Sequence, residues 1–555
     1  MNLQVECPST LRPGSKIMFV GEAPGACEVR ECDCKIVGDA GFAHPWEGFV
    51  GKAGRVWEKT LALAGLTRAQ VSLDNVVKRA PDDGFDAEHF RMSFWRFDSV
   101  PVPCKDGKPS KRVRRVIEPS EELLAWYDDL KRDIEAVKPN IVVACGGQAL
   151  YALTGIGKWK KQSGRWMLTG ITNWQGSMVE STLVPGLKVI PILHPSSILR
   201  QAQWQEVYIG GRILRDKVVP QSKFLELKRE SWQQFIEPSF NDVLSLLEWL
   251  TSHKDQRWSL DLECIGGSIA CIGIGTRDII GGDAATCIPI QTTSGPYFSL
   301  EQEKEVWEML NLVLLNNFNV VGHNLIFDFD WLMDYGLAPH GIYMDTMMAF
   351  HRLYPELPKS LEFVVALLLQ DISFYKMEAK TWGSSIPNEK LWNYNCIDDI
   401  AELRLSYVLD KELDAQPMLK QIFHKYDMPL FEIGLEMQYI GLPVNLREVM
   451  SFREVIKPAL EQVRWQLFEE SGGDLAVKEG GVEISNTTIH KYLYQTLGLK
   501  EQRKPKTGKV TAEEDALVDL MLKYPKLEVL KLLLKDSHLT KALTSYVNAK
   551  WEEDL

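Results

Sequence analysis

Short apolar runs of strand length alternate with helix-period stretches as far as about Pro417, and beyond that point strand signals become scarce. A chain patterned this way is confined to α/β architecture first and to helices afterwards. Lys16-Ile17-Met18-Phe19-Val20 reads as a strand ending at Gly21, Asn140 to Ala144 as a second and Lys188 to Leu193 as a third. Between them, Ala53 to Leu63 and Glu121 to Val137 have helical spacing. A second α/β region opens with the strand Arg257 to Leu262. Amphipathic helices are predicted at Met428 to Tyr439, Val449 to Glu470 and Asp515 to Leu534. The expected layout is an α/β region over 1–222, a polar linker over 223–238, a second α/β region over 239–413 and a helical region over 414–555.

The first residues lack a basic segment followed by an apolar run, so no secretory signal is read there. The longest apolar stretch, Val364 to Leu369, is too short to span a bilayer, and no membrane partner is expected. Ten cysteines spread over 555 residues do not form a disulfide framework, which favours a reducing, cytoplasmic compartment. The net charge of −12 argues at first against nucleic acid, but it is unevenly spread. Residues 1–222 carry 30 Lys and Arg against 25 Asp and Glu, whereas residues 223–555 carry 33 against 50. Lys108, Lys111, Arg112, Arg114 and Arg115 form a basic run that can track phosphates, although a solvated loop is the expected reading.

Chemistry concentrates in three segments of the second region. Asp261-Leu262-Glu263 closes an apolar strand, so both carboxylates point to one side. Like charges this close repel unless a cation lies between them, and hard oxygen donors suit magnesium or manganese. The stretch Val321 to Leu332 passes from a strand end into a helix, with Asp328 in its first turn. Tyr394 and Asp398 are four apart at the predicted start of another helix and share a face.

In this order and on these elements, the segments resemble the proofreading 3′→5′ exonucleases that carry an Asp-Glu-Asp-Asp core on a ribonuclease-H-like sheet. The resemblance implies that Asp261, Glu263, Asp328 and Asp398 hold two Mg²⁺ or Mn²⁺ ions, which serve an in-line displacement at phosphorus. The position five before Asp398 is Asn393 rather than His, which marks the tyrosine subclass and implies that Tyr394 positions the attacking water. It also implies that Asn324 and Phe327 lie beside the terminal nucleotide of a DNA 3′ end, single-stranded or frayed. Asp345-Thr346 is expected near the site as a structural pair, not as a ligand.

Downstream, Tyr426-Asp427-Met428-Pro429-Leu430 and the run Met437 to Asn445 resemble the segment just past the exonuclease in family A DNA polymerases. Ile484-Ser485-Asn486, Leu497-Gly498-Leu499, Lys506-Thr507-Gly508 with Thr511 and Glu513, and Lys541 to Tyr546 resemble the thumb of the same polymerases. Palm and fingers are absent from this reading. Synthesis is therefore not expected from this chain alone, and a separate palm and fingers chain is a candidate partner.

In the first region, Gly21-Glu22-Ala23-Pro24-Gly25 with Glu28, Gly48 to Gly54, Asn75-Val76-Val77-Lys78 and His194-Pro195-Ser196 occur in order. A glycine-rich turn after a strand lets backbone amides approach an anion or a base edge. The set resembles uracil-DNA glycosylases of the thermophilic, iron–sulfur type, an α/β/α sandwich. By that resemblance Glu22 and Glu28 line a pocket, Phe49 stacks on a flipped base, Asn75 reads the uracil edge and His194 stabilises the departing uracil anion. Two departures stand out. Arg79 occupies about the place of a cluster cysteine, and long insertions carry Cys27, Cys32, Cys34 and Cys104, where free thiols are expected over zinc or a displaced iron–sulfur cluster.

The combined expectation is a replication and proofreading protein of phage-like organisation, cytoplasmic in a bacterial host, which trims DNA 3′ ends as the N-terminal part of a family A polymerase. Three alternatives stay open: a base-excision repair enzyme with an accessory nuclease, a non-catalytic DNA-binding subunit of a split polymerase, and a ribonuclease of the same fold, which leaves the polymerase-like C-terminal segment unexplained.

Overall fold

The computed structural model describes residues 9–24, 48–49, 51–82, 87–103, 109–162, 165–197, 204–228, 231–277, 281–370, 372, 386–476, 484–504 and 510–548. These residues form two compact units, Met1–Tyr439 and Ile440–Leu555. Among them, no helix is long and apolar enough to cross a membrane.

The first sheet has the order β2-β1-β5-β9-β8, built from β1 (Ile17–Gly21), β2 (Ser72–Asn75), β5 (Ile141–Cys145), β8 (Val179–Glu180) and β9 (Lys188–Ile192). Only the short edge strand β8 is antiparallel. The continuous apolar runs found in the sequence are explained by burial on both faces, as parallel central strands require. Phe19 points toward Trp57 and Leu61 of α1 (Gly51–Leu63), while Met18 and Val20 point toward Leu130 and Ile134 of α2 (Glu121–Val137). The side chain of Ser120 caps α2 by accepting from the Leu123 N–H. A further helix, α3 (Gly147–Thr154), follows β5. Two antiparallel hairpins stand apart from this sheet: β3 (Trp95–Pro103) with β4 (Pro109–Pro119), and β6 (Lys158–Gln162) with β7 (Arg165–Thr169). The basic run read as a loop therefore lies, from Lys111 to Arg115, on strand β4, while Lys108 is outside the described residues.

The second sheet has the order β10-β13-β12-β11-β16-β17. Its strands are β10 (Trp232–Phe235), β11 (Trp258–Ile265), β12 (Ser268–Arg277), β13 (Asp283–Pro289), β16 (Val320–Gly322) and β17 (Ile342–Asp345). A small hairpin, β14 (Gln291–Thr292) with β15 (Gly295–Pro296), sits beside it. The polar segment 223–238 is thus not only a linker, since β10 within it pairs in parallel with β13. Its polar composition follows from its place at the sheet edge, where Gln233, Gln234 and Phe235 are exposed. One face of the sheet packs Leu260 and Ile274 against α5 (Phe240–Ser252) and α6 (Leu300–Asn316), both started by serine capping boxes. The other face receives the long helix α10 (Asn388–Asp414).

The two sheets share one hydrophobic core. Helix α4 (Trp204–Ile213), continued to Gln221, places Ile209, Ile213 and Val218 in the same cluster as Phe350, Val365 and Leu413. These last three come from α8 (Thr346–Leu353), α9 (Leu361–Leu368) and α10. Buried Lys217 donates from Nζ to the carbonyl of Gly176 at 2.9 Å and to that of Ala366, joining the two regions. Arg212 does the same through Glu412 and through the Tyr354 hydroxyl at 2.5 Å.

Helix α11 (Met428–Ile440) packs Phe431 edge-on to Phe329 at 6.2 Å, so residues up to 439 belong with the first unit rather than with the helical region expected from 414. The second unit contains α12 (Leu446–Glu470), α13 (Glu514–Lys523) and α14 (Glu528–Lys541) around Leu467, Leu493, Leu520 and Leu530. The single helix predicted over Asp515 to Leu534 is broken at Tyr524–Leu527, where Pro525 cannot donate an N–H to the helical ladder. Lys506, Thr507 and Gly508 lie outside the described residues.

Candidate metal centre

Strand β11 holds Leu260 and Leu262 in the core below and turns Asp261 and Glu263 to the face covered by α10. Asp398 arrives from α10, which begins at Asn388, so Tyr394 and Asp398 stand inside the helix rather than at its start. One oxygen each from Asp261, Glu263 and Asp398 lie within 4.8 Å of one another. Asp328 comes from α7 (Leu325–Asp334), and its Oδ1 accepts the Leu262 N–H at 2.9 Å, between the two β11 carboxylates. It stands beside that triplet, not within it. Burial, and then the charge of Asp261, pushes the Asp328 carboxyl well above the usual range.

The loop before α7 is held from beneath. Asp345 Oδ2 accepts from the Leu325 N–H and Oδ1 from the Met348 N–H, both at 2.9 Å. Burial raises its carboxyl to about 6 against these backbone donors. The carboxylate is thereby committed to joining the start of α7 to the start of α8. The His323 ring bridges the Thr346 hydroxyl at 2.9 Å and the Lys359 carbonyl at 2.8 Å. Asn324 takes a left-handed conformation, φ +69°, as the N-cap of α7. Phe327, one turn on, is 45% exposed.

Three residues that the sequence reading missed lie under this cluster. Asn395, Asp399 and Glu402 follow one another at i, i+4 and i+7 on α10 and are fully buried. The Asn395 amide donates to Asp261, and Ser259 donates from Oγ to Asp399 Oδ1 at 3.0 Å. Burial, then the charge of Asp261, raises the carboxyls of Asp399 and Glu402 well above their ordinary values. The detectable signal was a polar stripe through an otherwise apolar helical stretch. Close approach of α10 to the sheet depends on Gly273. A Cβ there would lie 1.6 Å from Asp399 Oδ2 and 2.7 Å from the Asn395 amide.

Hard oxygen donors held this close, on mutually repelling carboxyls of which Asp398 and the neighbouring Asp328 are buried, fit a divalent cation. A divalent cation held there would neutralise and orient a phosphodiester, which the carboxylates alone would repel.

The first region brings its predicted residues together at the C-terminal ends of β1 and β2. Glu22 Oε1 accepts the Gln148 N–H at 3.2 Å. Asn75, ending β2, and the ring of Phe49 close over Gly21, where a Cβ would lie 2.3 Å from Asn75 Oδ1 and 2.9 Å from the ring. Phe49 has φ +60°, and its centroid is 6.2 Å from that of His194. Gly146 separates Glu22 from His194. His194 Nδ1 lies 2.7 Å from the Ser196 hydroxyl and 3.2 Å from the Ser196 N–H, which fixes the orientation of the ring. Glu28, Cys27, Cys32, Cys34 and Cys104 lie outside the described residues. Arg79, where a cluster cysteine was sought, pairs with both oxygens of Glu122 at 2.6 and 2.9 Å and lies 4.4 Å over the Phe94 ring.

Comparison with known proteins agrees with this division. Residues 8–210 match the uracil DNA glycosylase superfamily and residues 259–414 match the 3′-5′ exonuclease family. DNA polymerase I of Synechocystis is 26% identical over 321 residues, 55% of this chain and 31% of the relative. DNA polymerase I of Chloroflexus aurantiacus is 23% identical over 296 residues, 49% of this chain and 28% of the relative. The type-4 uracil-DNA glycosylase of Archaeoglobus fulgidus is 29% identical over 195 residues, 35% of this chain and 72% of the relative. The chain thus spans about a third of the polymerases it matches. It carries a uracil DNA glycosylase superfamily domain followed by a 3′-5′ exonuclease domain.

Proposed function

We propose that this chain, a glycosylase-superfamily domain joined to an exonuclease domain of the DNA polymerase type, removes nucleotides from DNA 3′ ends as the N-terminal part of a family A polymerase. The observation that carries the reading is the meeting of Asp261, Glu263 and Asp398 oxygens within 4.8 Å, with Asp328 alongside. These four carboxylates would hold two Mg²⁺ or Mn²⁺ ions. When bound, such ions neutralise charge at the scissile phosphate and acidify a water. The protein's own groups orient the reactants. Phe327 stacks on the terminal base, Asn324 contacts the terminal nucleotide, and the Tyr394 hydroxyl, one turn before Asp398, holds the attacking water by hydrogen bond. A palm and fingers chain is the partner that would complete a polymerase.

The test is digestion of a 5′-labelled oligonucleotide with Mg²⁺. The parent should shorten it one nucleotide at a time, and Asp261→Ala should not. Parental rates in Asp261→Ala, or in EDTA, would refute the reading.

A second activity is favoured by the convergence of Glu22, Phe49, Asn75 and His194 around Gly21 and Gly146. These residues suit excision of a flipped uracil, with His194 stabilising the departing anion. In EDTA, a uracil-containing strand should become alkali-labile with the parent and stay intact with His194→Ala. A strand left intact by the parent as well would reduce this domain to a binding role.

A further inference from the structure

Phe49 has a backbone conformation that its side chain does not favour. Three described residues other than glycine have a positive φ: Lys138, the C-cap of α2, Asn324, the N-cap of α7, and Phe49 at +60°. Asparagines and helix C-caps enter this region often, whereas a bulky aromatic residue rarely does. Such a conformation persists only where neighbouring groups hold it.

Arg68 supplies the hold. It lies in the short turn Arg68–Gln70 between α1 and β2. Its Nη1 donates to the Gly48 carbonyl at 2.8 Å and its Nη2 to the Phe49 carbonyl at 2.6 Å. In extended chain, successive carbonyls point to opposite sides, so one guanidinium fork takes both only where the residue between them turns back. The fork is itself fixed. Its Nε donates to Glu58 at 2.8 Å, and the guanidinium lies 4.8 Å over the ring of Trp57. Trp57 also meets the Phe49 ring at 5.3 Å. Gly54 leaves the Phe49 carbonyl room, since a Cβ there would lie 2.2 Å from its oxygen. So held, the Phe49 ring stands over Gly21 beside Asn75.

We propose that Arg68 is a positioning residue of the glycosylase-like pocket: it holds Phe49 in the left-handed conformation and so keeps the ring where a flipped base would stack. The stacking rests on reading the pocket as a site of uracil excision. The hold on the backbone does not.

The first measurement reads the backbone and needs no activity. Phe49→Gly and Phe49→Ala are made in the full chain, each with Arg68 and with Arg68→Ala, and their melting temperatures are compared. With Arg68 present, Phe49→Gly should melt about 1 °C above Phe49→Ala, because only alanine is strained at positive φ. With Arg68→Ala the order should reverse, since a relaxed site leaves only the larger entropy cost of glycine. Arg68→Lys, which keeps the charge without the fork, serves the same comparison where Arg68→Ala folds poorly. A general loosening of the fold would lower both members of a pair and leave their order unchanged. The same order with and without Arg68 overturns the proposal.

The second measurement reads the ring. In EDTA, single-turnover excision of uracil from a single strand should fall about 10²-fold with Arg68→Ala, as misplaced reacting groups cause. It should stay low with Arg68→Lys. Arg68→Ala should lower the rate no further once Phe49 is already alanine. Losses that multiply, or full activity in Arg68→Lys, overturn the positioning role. A parent that excises no uracil refutes the reading of the pocket instead, and the melting order still decides whether Arg68 holds Phe49.

Discussion

The side-chain amide of Asn395 donates to Oδ2 of Asp261 at 2.8 Å and to the carbonyl of the same residue at 3.2 Å. One buried neutral group thus fixes the rotamer of a carboxylate that the like charges of Glu263 and Asp398 would otherwise drive away.

Replacing that amide should loosen the metal site without removing a ligand. Asn395→Ala is expected to raise the Mg²⁺ concentration for half-maximal exonuclease activity by about 10-fold or more, as lost ligand-orienting contacts usually do. The maximal rate at saturating Mg²⁺ should change much less. A Mg²⁺ titration superimposable on the parent's would show that Asn395 only fills space.

Removing one of the proposed ligands should have two opposite effects. Asp398→Ala is expected to lower exonuclease turnover by at least about 10³-fold, the equivalent of several kcal/mol of charge stabilisation at phosphorus. In EDTA the same variant should melt no lower than the parent, because one of several repelling carboxyls is gone. Thermal melts with and without Mg²⁺ check the second effect, and a clear fall in EDTA would contradict the repulsion argument.

Gly273→Ala tests the seating of α10. The added Cβ cannot coexist with Asp399 Oδ2 at 1.6 Å, so the buried Asp399 and Asn395 side chains, or the helix that carries them, must shift. A loss of about 1–3 kcal/mol in stability is expected, the usual cost of overpacking, together with weaker Mg²⁺ activation. Denaturant unfolding of the two proteins side by side provides the measurement.

Lys217 is a probe of the shared core. Lys217→Ala leaves the carbonyls of Gly176 and Ala366 without their buried donor, at about 1–3 kcal/mol for each unsatisfied group. Calorimetry should show the first unit melting at lower temperature. Separation into two transitions, one for each sheet, would be the clearest sign that this lysine couples them.

Acid sensitivity should have a source far from the metal site. Burial alone would raise the Asp410 carboxyl, but hydrogen bonds from Tyr343, Arg257 and Lys420 outweigh it and hold the group at about 2. A folded value below the unfolded one means that the stabilisation is complete above about pH 4 and is lost as pH falls toward 2. Asp410→Asn should cost about 2 kcal/mol at neutral pH and flatten the acid limb of the stability curve over that window. Parallel acid limbs would assign the loss to other groups.

By itself the sequence determined much of what depends on neighbours along the chain, although it ran one helix through Pro525 and began α10 six residues late. The period of apolar residues marked β1, β5, β9 and β11, and predicted α2 at Glu121–Val137, because burial on both faces and helical spacing are local properties. Order and spacing also singled out Asp261, Glu263, Asp328, Tyr394 and Asp398. Tertiary structure alone decided which atoms meet. Asn395 reaches Asp261 across 134 positions, and Lys217 reaches Ala366 across 149. The β10 edge strand and the β3–β4 hairpin escaped the sequence reading for a related reason. A strand with a wet face or a basic register has the composition of a loop, and only its pairing partners, β13 and each other, reveal it as a strand.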